Sequence, residues 1–548
     1  MNLLAKYVKA DYKSYEDFYE NFKINIPENF NYGFDIIDQI ANECPNQRAL
    51  VWRNDKGQSK DFSFKEISSL SNKAANAFIK LGLKKGDTVM LIVKRRYQFW
   101  YLMVALHKLG IVAVPSTHLL TEKDIDYRIK SADIKMIISV ADKIVEKHIN
   151  DAISENFNVK LCSIDGKMNG FTDLDELIEQ SNDETPERTT VNNDPMLIYF
   201  TSGTTAHPKM VEHISTYPLG HILTAGFWQN LKDTDVHFTM SDTGWAKCAW
   251  GKLYGQWICG AAIFVYDYDG AFTPVDILNV IQTNKMTTFC APPTIYRFLI
   301  KEELNKYDLS SLRACYIAGE PLNAEVYKQW LDKTGLELRE GFGQTETPVL
   351  LAVFPWITPK PGSTGKPSPH LNIHLLDEKG NECGVGDEGE VCIDIKKGIP
   401  AGIIQQYRNE PLANAEAMKN GYYHTGDMAW RDEDGYFWFI GRGDDVIKSS
   451  GYRIGPFEVE SALLEHPAVL ESAITAVPDL ERGQIVKATV VLAKGYSASD
   501  ELKKELQNHV KRTTAPYKYP RIIEFVEELP KTISGKTKRK QIRIEDQK

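Results

Sequence analysis

The sequence lacks the features that mark several common classes of protein. It has eight cysteines in 548 residues and no Cys-x-x-Cys pair, so neither a disulfide framework nor a zinc site of closely spaced thiols is indicated. The formal net charge of −9 and the pI of about 5.8 argue against a nucleic-acid partner, which needs a broad basic face. We expect reduced thiols in a cytoplasmic protein.

Long apolar runs are also missing. The most membrane-like segment, residues 99–114, is interrupted by His107, Lys108 and Gly110 and is too short to span a bilayer. The first twenty residues carry acidic side chains and no apolar core, which does not fit a signal or transit peptide. The sequence therefore predicts no stable membrane association.

The chain instead alternates helical patterns with short apolar strands. Residues 64–81 have helical periodicity, and residues 88–93, 111–115 and 196–200 have a strand-like character. Strands that alternate with helices predict a mostly parallel sheet covered by helices. The fold class is therefore predicted as α/β, or mixed α+β, with a large N-terminal domain of helix-covered sheets.

The pattern changes in the last third of the chain. Residues 362–440 contain short β-rich runs between turn signals, which predict a β-rich subdomain that closes the large domain. Beyond it, Pro456 begins a predicted helix in a small α/β module. We predict an N-terminal domain over 1–441, a hinge over 442–445, and a small mobile C-terminal domain over 446–548.

Residues 199–209 suggest a site for a polyphosphate. A predicted strand leads into a loop of hydroxyl side chains and backbone N–H groups that ends in Pro-Lys. Such groups suit a triphosphate, although a Ser/Thr turn is the simpler alternative. The candidate contacts are Thr201, Ser202, Gly203, Thr204, Thr205 and Lys209. The Gly-x4-Gly-Lys-Ser/Thr loop and the His-Glu-x-x-His motif are absent, which disfavours a P-loop ATPase and a metalloenzyme of that type.

Five further motifs occur after this loop in a fixed order. They are Gly-Phe-Gly-Gln-Thr-Glu at 341–346, Tyr-His-Thr-Gly-Asp at 423–427, Gly-Arg-Gly-Asp-Asp at 441–445, Ser-Gly-Tyr-Arg at 450–453 and Lys-Thr-Ile-Ser-Gly-Lys at 531–536. Together with the loop, they resemble the adenylate-forming superfamily of acyl-CoA synthetases, luciferases and peptide-synthetase adenylation domains. The resemblance covers nearly the whole chain after Tyr199. One departure is Ala206, where the family usually has glycine.

This resemblance implies a two-step reaction that uses ATP, Mg²⁺ and coenzyme A. A small-molecule carboxylate attacks the α-phosphorus of ATP, and the acyl group then passes to the thiol of coenzyme A. The implied catalytic residues are Lys536, Thr345, Glu346 and Arg442, with Glu346 also holding Mg²⁺. Besides the loop, the implied nucleotide contacts are Gly319, Glu320, Pro321, Gly341, Phe342, Gln344, Thr345, Asp427 and Arg442.

The second step requires the thiol of coenzyme A to reach the acyl-adenylate. Members of the family rotate the small domain between the two steps, about an aspartate that matches Asp444. Ser450, Gly451 and Arg453 then match the region that approaches coenzyme A, and a glycine permits close approach of its pantetheine arm. A simple β-turn with a surface arginine is the alternative.

Three residues bear on which carboxylate is used. The sequence Asp-Thr-Gly-Trp at 242–245, followed by Lys247, resembles the acetyl-, propionyl- and medium-chain acyl-CoA synthetases, with Trp245 as an acyl-pocket wall. Relatives that use acetate have a tryptophan where this chain has Gly343, and Ala318 is also small. Each additional buried methylene is worth about 0.8 kcal/mol. We therefore predict a medium-chain, branched or aromatic acid rather than acetate.

Two alternatives to an acyl-CoA synthetase remain. A stand-alone adenylation enzyme would transfer the acyl group to a carrier protein, and its activity would not depend on coenzyme A. A catalytically silent nucleotide-binding regulator would lack catalytic residues, yet all the implied ones are present. The sequence leaves the oligomeric state open.

Overall fold

The computed structural model describes residues 1–153, 158–201, 208–270, 273–450, 452–532 and 536–546. In these ranges, no helix is long and apolar enough to cross a membrane. The segment 99–114 forms the buried helix Gln98–Leu109 and the buried strand Val112–Pro115, with Gly110 in the left-handed conformation (φ 66°) between them. The prediction that this segment does not span a membrane is thus consistent with its packing.

Two large, mostly parallel sheets form the first two thirds of the described chain. In spatial order, the strands of the first sheet are Gln406–Tyr407, Lys209–Ile214, Pro195–Thr201, Val112–Pro115, Thr88–Ile92, Ile134–Val140, Lys160–Ile164 and Thr172–Asp173. Those of the second are Lys366–Pro367, Leu351–Ala352, Leu338–Phe342, Ala314–Ile317, Thr288–Ala291, Val236–Thr239, Ala262–Asp267, Arg48–Asn54 and Ser59–Ser63. In both sheets the antiparallel pairs lie only towards the edges.

The two sheets share one core and each has a second core on its other face. Val89 and Leu91 lie in the same hydrophobic cluster as Ile263 of the second sheet, whereas Met90 and Ile92 belong to a separate cluster. This alternation follows from the two-residue period of a strand. Sheets buried on both faces are typical of parallel strands, so the predicted helix-covered α/β architecture is confirmed.

Helices cover these sheets and join their strands. The helix predicted at 64–81 spans Phe64–Lys80 and begins with a capping box formed by Ser63 and Glu66. The other α-helices up to residue 417 are Leu4–Tyr7, Tyr15–Asn21, Gln39–Glu43, Gln98–Leu109, Glu122–Ala132, Lys143–Ala152, Leu174–Glu179, Tyr217–Gly220, Ala246–Lys252, Tyr254–Ile258, Pro274–Thr283, Pro293–Leu299, Ala324–Thr334 and Pro411–Ala417. Short π-helices occur at Gly33–Asp38 and Leu223–Trp228, and a 3₁₀ turn occurs at Leu304–Lys306.

The predicted β-rich subdomain is an antiparallel sheet. Its strands, in order, are Ile373–Leu376, Glu388–Asp394, Tyr422–Arg431 and Phe437–Arg442. The last strand ends at Arg442, where the predicted hinge begins.

The C-terminal module has a sheet and a hydrophobic cluster of its own. The strands are Ile447–Ser449, Tyr452–Ile454, Val469–Asp479, Gly483–Leu492 and Ile522–Val526. The helices are Pro456–Leu464, Asp500–Thr513 and Arg539–Glu545, with a 3₁₀ turn at Pro516–Lys518. Pro456 is the first helical residue, as predicted, and Ser499 caps the second helix. The hydrophobic cluster of this module contains residues of the module alone.

Candidate active site

A cavity of about 1320 Å³ lies between the large sheets, the antiparallel sheet and the C-terminal module. It opens where parallel strands of the second sheet end, the edge at which α/β folds bind ligands. Most of the predicted site residues line it: Thr201, Lys209, Trp245, Ala318, Gly319, Glu320, Pro321, Gly341, Phe342, Gly343, Gln344, Thr345, Glu346, Asp427, Arg442, Asp444 and Lys536. Ser202, Gly203, Thr204, Thr205 and Gly451 lie outside the described residues.

Asp427 lies at the centre of a polar network. It is opposite Arg442 in the antiparallel sheet, and the guanidinium of Arg442 is 3.5 Å from the carboxylate of Asp427. The side-chain amide of Gln344 donates to the same carboxylate over 2.5 Å. Burial raises the pKa of Asp427 to about 6, and the charge of Arg442 opposes the rise. At neutral pH, Asp427 is an ionised acceptor at the cavity wall.

The carboxylate of Glu346 is oriented by Tyr407, which lies on the short strand Gln406–Tyr407. The Tyr407 hydroxyl donates to its carboxylate over 2.9 Å, and the ammonium of Lys209 lies 5.0 Å from the ring of Tyr407. His213 bonds the carbonyl of Thr345 over 2.9 Å and so fixes the adjacent backbone. Desolvation raises the pKa of Glu346. Among the described residues it has no ion-pair partner, and such a carboxylate suits a hard cation.

Lys536 lies on the C-terminal module, where it is hydrogen-bonded to Thr532. Its backbone N–H donates to the Thr532 hydroxyl over 3.1 Å, and its carbonyl accepts from the Thr532 N–H over 2.7 Å. These bonds place Lys536 at the cavity, where its positive charge lowers the pKa of both Glu346 and Asp427 against the raising effect of their burial. The module thus contributes part of the cavity wall, and Lys536 is one of several cations that it brings there.

The other end of the cavity is lined by aromatic and small residues. Trp228, Trp245 and Trp250 line it together with Ala318. A Cβ placed on Gly341 would lie 2.5 Å from the indole of Trp228, so only glycine fits there beside that ring. Trp228 and Trp250 carry no local sequence motif and were not predicted as site residues.

The surroundings of Gly343 refine the argument about pocket size. Gly343 lines the cavity, but a Cβ built on it would lie 2.6 Å from the carbonyl oxygen of Pro348. A larger residue at this position therefore requires the loop to shift before the side chain can enter the cavity. The lack of a side chain at position 343 therefore leaves room for the Pro348 carbonyl as well as for a ligand in the pocket.

Lys247 and Glu340 are among the ionisable residues of the cavity that were not predicted as site residues. Lys247 donates from its ammonium to the carbonyl of Ala318 over 2.8 Å, and burial lowers its pKa. Glu340 accepts the Leu322 N–H over 3.2 Å, and burial raises its pKa to about 8. The sequence showed Lys247 only as part of a resemblance and Glu340 only as a residue before the 341–346 motif, because burial depends on tertiary contacts.

Comparisons with known proteins agree with this geometry. The model of the AMP-binding enzyme family matches residues 37–398, and that of the AMP-binding enzyme C-terminal domain matches residues 458–536. The chain belongs to the AMP-binding enzyme family. The match to a model of each part also agrees with a large N-terminal and a small C-terminal domain.

Relatives of this AMP-binding enzyme place it in the acyl-CoA synthetase branch. It is 44% identical over 545 residues to the rat (Rattus norvegicus) mitochondrial acyl-coenzyme A synthetase ACSM3, covering 98% of this chain and 94% of the relative. It is also 44% identical over 532 residues to human (Homo sapiens) mitochondrial acyl-coenzyme A synthetase ACSM4, covering 95% and 91%. The enzyme is an AMP-forming acid–CoA ligase, and its use of ATP and coenzyme A follows from the family.

A solved structure shows the same fold. The crystal structure of the anthranilate CoA ligase AuaEII in complex with anthranoyl-AMP superposes with a TM-score of 0.86 at 27% identity, covering 95% of this chain and 98% of the other. The mixed α/β fold with a large and a small domain is therefore confirmed for this AMP-binding enzyme.

Two of the predicted coenzyme A contacts, Ser450 and Arg453, are not at the cavity in this structure of the AMP-binding enzyme. Arg453 lies in the hairpin of strands Ile447–Ser449 and Tyr452–Ile454, where its guanidinium is 2.5 Å from the carboxylate of Glu378 on the antiparallel sheet. Ser450, in the same hairpin, accepts from Arg482 over 3.2 Å. Their role in the second step stays a prediction, since it requires another domain arrangement.

Proposed function

We propose that this acyl-CoA synthetase activates a carboxylic acid larger than acetate: a medium-chain, branched or aromatic acid. The observation that carries the proposal is the end of the cavity lined by Trp228, Trp245, Trp250 and Ala318. Burial of apolar surface there favours each added methylene by about 0.8 kcal/mol. The anthranilate ligase, named for an aromatic acid, has the same fold.

In the first step, a carboxylate oxygen forms a bond to the α-phosphorus of ATP, and the bond from that phosphorus to the pyrophosphate oxygen breaks. Asp427 accepts hydrogen bonds from the ribose hydroxyls, while Thr201, Thr345 and Lys209 contact the phosphates. Lys536 and Arg442 stabilise the negative charge that grows at the α-phosphate. The support for these roles is the common position of these residues at one cavity.

Glu346 is the proposed ligand of Mg²⁺. Its carboxylate is oriented by Tyr407 and has no ion-pair partner in the described part of the chain, and a carboxylate is the ligand type that this ion prefers. When bound, the ion would supply positive charge beside the triphosphate. Lys209 and Lys536 supply positive charge of the protein itself at the same cavity.

In the second step, the thiol sulfur of coenzyme A, having lost its proton, attacks the acyl carbonyl, and AMP leaves with the electrons of the broken C–O bond. We propose that the module 446–548 rotates about Asp444 in the hinge 442–445 against the domain 1–441. Ser450, Gly451 and Arg453 then face coenzyme A. The separate core of the module supports such movement as a unit.

A carboxylate panel tests the proposal. The enzyme is incubated with ATP, Mg²⁺ and coenzyme A, and AMP and thioester are measured for acids from acetate to octanoate, branched acids and benzoate. Joint formation of AMP and thioester, fastest beyond acetate, is the expected result. A preference for acetate would contradict the proposed pocket.

The same assay separates the alternatives. Carboxylate-dependent exchange of pyrophosphate without thioester would point to a carrier protein as acceptor, and binding of ATP without either reaction to a regulator.

The predicted cytoplasmic location is a separate question, since the two relatives are named as mitochondrial. Fractionation of the source cells would answer it.

A further inference from the structure

A group of possible metal ligands lies on the antiparallel sheet, outside the cavity. Cys392 and His424 face each other across neighbouring strands, and Glu390 precedes Cys392 by two residues, on the same side of its strand. The side chains of Glu390 and His424 are 26% and 14% exposed, and Cys392 is buried beneath them. An ion could therefore reach the group from solvent.

The three ligand atoms are close enough to bind one ion. The sulfur of Cys392 is 3.4 Å from Nδ1 of His424, and this nitrogen is 2.8 Å from Oε2 of Glu390. All three atoms lie within 4.8 Å of one another. Around a tetrahedral zinc ion, a sulfur and a nitrogen ligand are separated by about 3.5 Å, given the usual bond lengths.

Hydrogen bonding alone does not satisfy this group. Nδ1 of His424 faces both the thiol and the carboxylate, yet it carries at most one proton or one lone pair. An ion at Nδ1 would leave Nε2 of the same ring as the protonated nitrogen, which is enclosed and has no hydrogen-bond partner in the described part of the chain. A cation between the three atoms would use the lone pair of Nδ1, the thiolate and the carboxylate at once.

We propose that Glu390, Cys392 and His424 form a zinc site with an open fourth position. Thiolate and imidazole ligands select Zn²⁺ over Mg²⁺ and Ca²⁺, which prefer oxygen. Binding replaces the thiol proton with a sulfur–zinc bond and releases that proton to solvent. Such a site differs from the proposed Mg²⁺ position at Glu346, and it does not rest on the proposed function.

The surroundings both support and oppose the ion. Oε1 of Glu390 accepts the Gly426 N–H over 2.8 Å, so Oε2 stays directed at the group. Burial and the charge of Glu390 raise the pKa of the Cys392 thiol, and the nearby charge of Lys419 opposes that rise. Lys419 is itself paired with Glu416 at 2.5 Å. The lysine favours the thiolate but repels a cation, so its two effects on zinc binding oppose each other.

Zinc titration of the full chain tests the proposal. Chelator-stripped enzyme without ATP is titrated with Zn²⁺ against a chromophoric competitor, and Co²⁺ is used to detect a thiolate-to-metal charge-transfer band. Wild type should bind one equivalent and show the band. Cys392→Ser and Glu390→Gln should each weaken binding at least about tenfold, and Cys392→Ser should abolish the band.

Two control variants locate the binding. Cys44→Ser removes the more exposed thiol, and Glu346→Gln removes the proposed Mg²⁺ ligand; both should bind zinc as wild type does. Circular dichroism and thermal unfolding show whether each variant is folded. Absence of a tight equivalent in wild type would overturn the proposal, as would equal affinity in folded Cys392→Ser and Glu390→Gln variants.

Discussion

Lys536 is one of the positive charges that the C-terminal module brings to the cavity. Its neighbours in sequence include other cations, so a basic tail alone would explain its residue type. Its hydrogen bond with Thr532 and the effect of its charge on Glu346 and Asp427 set it apart. Charge stabilisation of this kind is commonly worth a factor of about 10² to 10³ in rate.

The Lys536→Ala variant should therefore lose adenylation by about 10²- to 10³-fold. Thioester formation from supplied acyl-adenylate should be much less affected, because phosphorus chemistry is already complete. Pyrophosphate exchange and thioester formation measure the two steps, and Lys504→Ala, which removes an exposed cation of the same module outside the cavity, is the control. Equal losses in both steps would reject the role given to Lys536.

The glycine at position 343 affects both the size of the acyl pocket and the packing of the loop backbone around it. Gly343→Trp should shift preference towards acetate or propionate over octanoate by at least about tenfold, since two lost methylene contacts already account for that factor. Because a Cβ would meet the Pro348 carbonyl, the variant should also be less stable by about 1–3 kcal/mol. Relative kcat/KM across the acid panel and thermal unfolding measure the two effects.

Gly343→Ala separates these two causes. It introduces the Cβ without an indole, so it should lose stability and keep the chain-length preference of the wild type. An unchanged preference in Gly343→Trp would contradict the predicted acyl pocket.

Glu340 should make stability depend on pH. Its pKa is raised to about 8 by burial, from 4.5, so between these values the folded state keeps a proton that the unfolded chain releases. The free energy of unfolding should therefore fall as pH rises from about 5 to 8. Glu340→Gln stays neutral and should reduce that fall by an amount on the order of a few kcal/mol.

Urea unfolding at several pH values between 5 and 8 measures this effect. Glu302→Gln, which alters a carboxylate outside the cavity, should give the wild-type curve. A Glu340→Gln curve parallel to that of wild type would contradict a proton held at Glu340.

At the scale of elements, Glu378 of the antiparallel sheet pairs with two cations of the hairpin 447–454. Glu378 is 2.5 Å from Arg453 and 3.8 Å from Lys448. A rotation that brings Arg453 to coenzyme A would break its pair with Glu378. Glu378 is 72% exposed, and pairs of this kind contribute about 0–1 kcal/mol, so the pair biases the arrangement only weakly.

Glu378→Gln should accelerate thioester formation from supplied acyl-adenylate by up to about fivefold where rotation limits the rate. The gain should disappear at high salt, which screens the wild-type pair as well. Glu433→Gln changes another exposed carboxylate near the same sheet and should have no effect. A gain that is independent of salt would exclude the ion pair as its cause.

At the scale of the whole molecule, the predicted hinge 442–445 joins the large N-terminal domain to the C-terminal module, and its backbone is held by few hydrogen bonds. Gly443 and Asp445 donate their N–H groups to the carbonyls of Gly426 and Arg442, whereas no backbone bond is formed by the Asp444 N–H among the described groups. Proline at 444 therefore removes no bond from this arrangement but fixes φ near −65°. A hinge at residue 444 would therefore be restricted in the backbone rotation that moves the module.

Asp444→Pro should retain adenylation within a few-fold and lose thioester formation by at least about tenfold, because a restricted hinge hinders the second arrangement. Single-turnover assays of each step measure the difference, and Asp444→Ala controls for loss of the carboxylate. Equal retention of both steps would place the hinge elsewhere.

The local pattern of the sequence predicted most elements near the site. The helix Phe64–Lys80 and the strand Pro195–Thr201 were expected within one residue of their observed ends, because their apolar periodicity and capping residues are local. The antiparallel subdomain and the helix begun by Pro456 were confirmed for the same reason. The bounds of the domains stay predictions.

The sequence by itself determined the type of chemistry, because six ordered motifs each place their functional residues within a few positions of one another. Tertiary structure alone decided the contacts between distant residues: Trp228 against Gly341, Tyr407 with Glu346, and the pairing of Cys392 with His424. The sequence indicated no zinc site, since Glu390 and Cys392 lie more than thirty residues before His424. Strand register brings them together, and register depends on packing across the whole sheet.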